Sequence, residues 1–192
     1  KYFLHDFTLS TKSGHVRLHR EANNGKIDDF KITFVDTGLE TLPGERILRV
    51  KDYLPDGEDF MVTYGDGVED INITELIAFH KKANTIGTIT GVHPRSKYGL
   101  IKVGKKKAVF EFQEKPQLHD WVNGGFMVFR RNFFDYLRPE ETEHPALGRL
   151  ARDHQLSLYT HDGFWHCMDT YADVEHLNRL WQEDPKWKIW KD

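Results

Sequence analysis

The sequence predicts an α/β protein with a mixed, mainly parallel central sheet and helices on both faces. Three observations carry that expectation. An apolar, β-prone run at 59–67 is followed by a segment of helical periodicity and then by a β-branched run at 85–92, the order of a βαβ unit. Short β-prone runs at 98–103, 108–113 and 121–129 are separated by turns rather than helices, which adds antiparallel strands. Helical spacing then returns in the last third of the chain.

Taken in order, 30–35 reads as a strand and 43–54 as a helix with Ile47, Leu48, Val50, Tyr53 and Leu54 on its apolar face. The run at 59–67 reads as a buried strand stopping at Gly65. A helix follows, capped by Asn72 or Thr74, with Leu76, Ile77, Phe79 and His80 on one side. Lys105, Lys106 and Lys107 follow a glycine between two strands and read as a solvated hairpin tip. Segments 131–138 and 145–153 read as helical, 156–159 as a strand, and 172–181 as a helix with Val174, Leu177, Leu180 and Trp181 at helical spacing. The aromatic tail of Trp181, Trp187 and Trp190 is expected to pack as core or as a subunit contact.

The 192 residues are expected to form a single domain over 1–192. The 27 basic and 30 acidic side chains are interspersed, with a net charge of −3, so no basic stripe exists to track a nucleic acid backbone. No run approaches the length of a membrane span. One cysteine, Cys167, rules out an intrachain disulfide and suits a reducing cytoplasm. The chain opens on Lys1, and a segment upstream is expected.

Ligands of open α/β sheets bind beyond the carboxyl ends of the strands. Asp66, between Gly65 and Gly67 at such an end, either holds Mg²⁺, a hard cation that prefers oxygen, or accepts hydrogen bonds as an ordinary turn aspartate. Asp169, at the end of another apolar run, either caps the helix after it or supplies a second carboxylate to the same cation. Lys115, fixed by Pro116 at the end of a strand, suits a phosphate monoester. Asn123, Gly124 and Gly125 interrupt a strand pattern, which marks close approach of a ligand or backbone. The eleven histidines show no zinc spacing, and Cys167 has no activating base in sequence.

In combination, Tyr-Gly-Asp-Gly at 64–67, Glu-Lys-Pro at 114–116, Trp-Val-Asn-Gly-Gly-Phe at 121–126 and Gly-Phe-Trp-His-Cys-Met-Asp-Thr at 163–170 resemble the sugar nucleotidyltransferases, and within them the glucose-1-phosphate cytidylyltransferases. The likeness spans nearly the whole chain, including Val-Asp-Thr-Gly at 35–38. It implies a Rossmann-like nucleotidyltransferase fold and transfer from CTP to glucose 1-phosphate, giving CDP-glucose and pyrophosphate with Mg²⁺. By the same likeness Asp66 and Asp169 hold the metal, Lys115 contacts the sugar phosphate, Glu114 the sugar hydroxyls, and Gly124 with Gly125 line the hexose pocket. The segment 37–46, with Thr37, Gly38 and above all Arg46, would lie near the base and triphosphate. A homo-oligomer and a place in surface-polysaccharide synthesis, as for lipopolysaccharide O-antigen, are also implied.

The sequence departs from that pattern in four places. The family's N-terminal strand and Gly-Gly-x-Gly-Thr-Arg loop are not in these residues, Glu45 precedes Arg46 where a glycine is expected, His166 replaces a glutamine, and His144-Pro145 stands where an acid is usual. Two other readings accordingly stand beside the first: a dTTP- or UTP-dependent pyrophosphorylase of the same fold, and a non-catalytic nucleotide-sugar binding subunit.

Overall fold

A computed structural model describes residues 7–9, 12–13, 16–18 and 32–190. The chain falls into two units, residues 1–35 and 36–192. In the first, β1 (Phe7–Leu9) and β2 (Val16–Leu18) pair antiparallel, with Phe7 opposite Leu18. The strand expected at 30–35 does not form over its described part, and its first two positions lie outside the described residues. Ile32 and Phe34 are exposed there, and among the described residues no strand pairs with the segment to give its alternation a surface to pack on.

The second unit begins with α1 (Pro43–Arg49), where Pro43 opens the helix with its fixed φ and no orphaned amide. The helix was expected to run to residue 54 but closes at Val50 and gives way to a 3₁₀ turn, Lys51–Tyr53. Leu54, the residue before Pro55, is already extended. The Arg131 guanidinium caps this end, donating to the carbonyls of Leu54 and Pro55 at 3.0 and 2.9 Å and to that of Lys51 at 3.3 Å.

Next come β3 (Phe60–Thr63), β4 (Gly67–Glu69), α2 (Ile73–Ala83) and β5 (Gly87–Val92). Asn72 caps α2 through its side chain, as its sequence position suggested, and Asn84 ends the helix in the left-handed region. A hairpin of β6 (Leu100–Val103) and β7 (Val109–Gln113) follows, with the three lysines at its exposed tip. The chain then continues through β8 (Val122–Phe129), a 3₁₀ segment (Arg131–Tyr136), α3 (Glu143–Arg152), β9 (Leu156–Thr160), β10 (Trp165–Cys167) and α4 (Tyr171–Glu183).

The central sheet has the order β3-β8-β5-β9. Strands β3, β5 and β9 run one way and β8 runs against its two neighbours, so the sheet is mixed with most strands parallel in direction. The expected βαβ unit is present, with β8 inserted between its two strands. Alternation along β8 assigns the two faces. Met127 and Phe129 meet Ala146, Leu147 and Leu150 of α3 and Ile47 and Leu48 of α1, while Val128 meets Ile71 and Leu76 at and before α2. Helices therefore cover both faces. Met127, Phe129, Phe133 and Leu150 are at most 1% exposed, each worth about 1.5–3 kcal/mol of burial. The Phe129 and Phe133 rings stack at 3.9 Å.

Within the second unit, Gly44 is required by contact rather than by φ. A Cβ there would meet the Thr142 carbonyl carbon at 2.6 Å, so α1 and the start of α3 could not approach as they do. Trp187 stacks between Phe164 and Trp181, whereas Trp190 is exposed. Among the described residues no helix is long and apolar enough to cross a membrane.

Candidate active site

Asp66 stands where β3 ends and the chain turns sharply through two glycines. The turn leads straight into β4, which pairs antiparallel with β10 and sets Gly67 opposite Cys167 and Glu69 opposite Trp165. One residue beyond this ladder the Met168 amide donates to the Asp66 carbonyl at 2.8 Å. Asp169 is the next residue, so the register delivers the second carboxylate beside the first. Oxygens of Asp66 and Asp169 and the sulfur of Cys167 lie within 4.8 Å of one another. They open on a cleft of about 700 Å³, whose wall includes Tyr64, Asp66, Asn123, Gly124, Trp165 and Asp169. That volume suits a small-molecule ligand.

Asp169 does not cap α4. Thr170 does, in a capping box with Asp173. Asp173 accepts from the amides of Asp169 and Thr170 at 3.2 and 2.8 Å and contacts His166 Nε2 at 3.1 Å, which fixes the corner that carries Asp169. Its carboxyl is pushed down to about 2, first by the Thr170 hydroxyl and then, against the cost of burial, by the Thr170 amide and His166. The side chain of Asp169 is thereby left to face the cleft.

Lys97 donates to Asp169 Oδ2 at 2.8 Å, and this bond, ahead of one from Cys167, holds the Asp169 carboxyl below its ordinary range. The Cys167 thiol donates to Asp169 Oδ1 at 3.2 Å. Burial, then that bond and the charges of Asp66 and Asp169, push the thiol up to about 11. A hard cation prefers the carboxylate oxygens to a thiol. The donor set that remains is two carboxylates open to a cleft, which fits a hard divalent cation whose other ligands come from phosphates and water.

The opposite wall is tied to the sheet. Tyr64 donates to Glu143 Oε1 at 2.5 Å, and Tyr64 has its hydroxyl held well above the usual range, first by burial and then by this carboxylate. Asn123 accepts from the Gly125 amide at 3.0 Å, and the Trp165 indole donates to the Gly124 carbonyl at 2.8 Å. Gly125 has φ +92°, and a Cβ on it would stand 2.9 Å from the Tyr64 ring. Behind Gly124 lies Glu69, 7% exposed, with neither carboxylate oxygen hydrogen-bonded among the described residues. Burial, followed by the charge of Asp70, pushes it up to about 8.

The structure thus brings Asp66, Asn123, Gly124 and Asp169 into one cleft, with Gly125 just behind. Glu114 and Lys115 are exposed on the turn after β7 and are not among the residues that line it. That turn is bound to the segment carrying Lys97, since the Ser96 amide donates to the Pro116 carbonyl at 2.8 Å and Arg95 bridges to Gln117. Thr37, Gly38 and Arg46 form a cluster of their own. Arg46 donates to Thr37 Oγ1, the Thr41 carbonyl and the Leu39 carbonyl at 2.7–2.9 Å. Glu45 beside it accepts from Arg49 and from the Glu140 amide.

Five residues of the site were not singled out from the sequence: Tyr64, Glu69, Lys97, Glu143 and Asp173. Asp173 had a readable signal in Thr-x-x-Asp at 170–173. The others depend on contacts between distant segments and carry no local mark.

Residues 11–188 match the nucleotidyl transferase family. A Bacillus subtilis protein named "Probable glucose-1-phosphate cytidylyltransferase" is 36% identical over 99% of this chain and 76% of its own length. The glucose-1-phosphate cytidylyltransferase of Salmonella typhimurium is 35% identical over 99% of this chain and 74% of its own. Among solved structures, HddC from Yersinia pseudotuberculosis superposes with a TM-score of 0.53 at 18% identity, covering 74% of this chain and 64% of that one, which is a likeness of fold.

Proposed function

Because this chain belongs to the nucleotidyl transferase family, we propose that its cleft transfers the cytidylyl group of CTP to glucose 1-phosphate, giving CDP-glucose and pyrophosphate. The observation that carries this reading is that the likeness to glucose-1-phosphate cytidylyltransferases runs over 99% of the chain.

The chemistry is a displacement at phosphorus. An oxygen of the sugar phosphate forms a bond to the α-phosphorus of CTP while the bond to pyrophosphate breaks, and no covalent enzyme intermediate is needed. The protein's work is to align two anions that repel each other. In this reading the carboxylates of Asp66 and Asp169 hold Mg²⁺. When bound, the cation offsets phosphate charge and supports the leaving group. Lys115 meets the sugar phosphate, and Glu114, Asn123, Gly124 and Gly125 position the hexose. The 37–46 segment lies toward the nucleotide, and Arg46 serves it by holding the loop of Thr37 and Gly38 in shape through three donors. Tyr64, pinned by Glu143, keeps the far wall rigid. The protein is further read as a cytoplasmic homo-oligomer supplying nucleotide sugar for surface polysaccharide. Its free Cys167 and the exposed rings of Trp181 and Trp190 support the first two points.

Pyrophosphate release measured with CTP, UTP and dTTP at equal concentration tests the choice of nucleotide. Release with CTP should exceed the others by about tenfold or more, the scale of one well-placed hydrogen bond to the base. Equal release with all three removes the claim for CTP.

A further inference from the structure

Lys97 is the group at the cleft that the reading above does not use. It lies 72 residues before Asp169 in sequence, yet its ammonium sits 2.8 Å from Asp169 Oδ2, the carboxylate assigned to the metal. Both side chains are about half exposed, so the bond can be exchanged at little cost in burial. The backbone beneath Lys97 is not loose. Ser96 donates its amide to Pro116, and Ser96 Oγ both donates to the Tyr98 carbonyl at 2.7 Å and accepts from the Tyr98 amide at 3.1 Å. The antiparallel register that pairs Arg95 with Gln117 counts Lys97 against Lys115. The two lysines thus leave adjacent paired segments, and one of them touches the carboxylate assigned to the metal.

We propose that Lys97 is a substrate-binding residue that pairs with Asp169, yields it to the divalent cation, and then turns its ammonium to the phosphate of the incoming sugar phosphate. The inference rests on the metal reading of Asp66 and Asp169. Its physical basis is charge balance. A lysine head on a flexible stem gives a carboxylate at a cation site a counter-charge that can move away. Once the cation carries that task, the ammonium is released where an anion of charge near −2 arrives. Exchange of this kind costs cation affinity in the free protein and gains affinity for the phosphate.

The test is Mn²⁺ binding to the full chain without nucleotide, read by electron paramagnetic resonance, together with the KM for glucose 1-phosphate. Lys97→Met should bind Mn²⁺ roughly threefold more tightly, the scale of one exposed ion pair, while its KM for glucose 1-phosphate rises. Lys97→Arg should keep wild-type Mn²⁺ affinity. Unchanged or weaker Mn²⁺ binding by Lys97→Met, or tighter binding by Lys97→Arg, overturns the inference. Asp169→Asn separates the two layers. Loss of Mn²⁺ binding there with no change in Lys97→Met sinks only the role of Lys97, whereas wild-type Mn²⁺ binding by Asp169→Asn sinks the metal reading and this inference with it.

Discussion

The Asp66–Asp169 corner and the loop and helix start that carry Arg46 lie in the same unit, both carry charged side chains, and both are assigned to ligands by resemblance. They differ in what the charges are already doing. At Arg46 each guanidinium nitrogen is committed to the surrounding loop, to Thr37, Leu39 and Thr41. At the acidic corner the backbone does the holding, through the β4–β10 ladder and the Asp173 cap, and the carboxylates of Asp66 and Asp169 face a cleft, where Asp169 meets two side chains, the Lys97 ammonium and the Cys167 thiol. A site is built where the backbone holds the corner, so that the functional side chains do not have to.

The sharpest way to break that contrast is Asp169→Asn, which keeps the shape and removes one charge. Turnover should fall by on the order of a hundredfold, ~2.7 kcal/mol of transition-state stabilisation, with the circular-dichroism spectrum unchanged. A near-wild-type rate would show that the corner is only a turn.

Glu69→Gln probes the support beneath the corner and should have the next largest effect, on stability rather than rate. The folded protein holds the Glu69 proton to about pH 8, against an ordinary value of 4.5. The folded state therefore binds the proton more tightly than the unfolded chain, and stability falls as pH rises from about 4.5 to 8. The glutamine variant lacks that titration. Its melting temperature should change less between those two pH values, by a difference on the order of 5 kcal/mol in stability, and a parallel pH profile for both proteins would refute the assignment.

Arg46→Ala completes the set with the smallest change. Losing the bonds to the 37–41 loop should cost about 1–2 kcal/mol, seen as a melting temperature lower by several degrees. A higher KM for CTP with no loss of stability would mean that the guanidinium meets the nucleotide directly and that the contrast between the two regions is wrong.

Much of the acidic corner was legible in the sequence because its parts are local. Gly-Asp-Gly after an apolar run marks the end of β3, and a cap at Asn72 announces α2. What could not be read is the pairing. Strands β4 and β10 have three residues each, too few to show a period of two, and they lie nearly 100 positions apart. Without them Asp169 looked equally suited to capping α4, a task that Thr170 and Asp173 perform. Lys97 was invisible for the same reason. The helix expected over 43–54 closes at Val50, and Leu54 before Pro55 is extended, a restriction that the proline in the sequence announces. His166, which departs from the pattern the sequence resembles, contacts Asp173.

The most direct test of the account is pyrophosphate release from CTP and glucose 1-phosphate, titrated with Mg²⁺, in the wild-type chain and in Asp66→Asn. Release that requires both substrates and the cation, and that collapses in the variant, is the expected result. Release that persists without Mg²⁺ or survives the loss of Asp66 would contradict it.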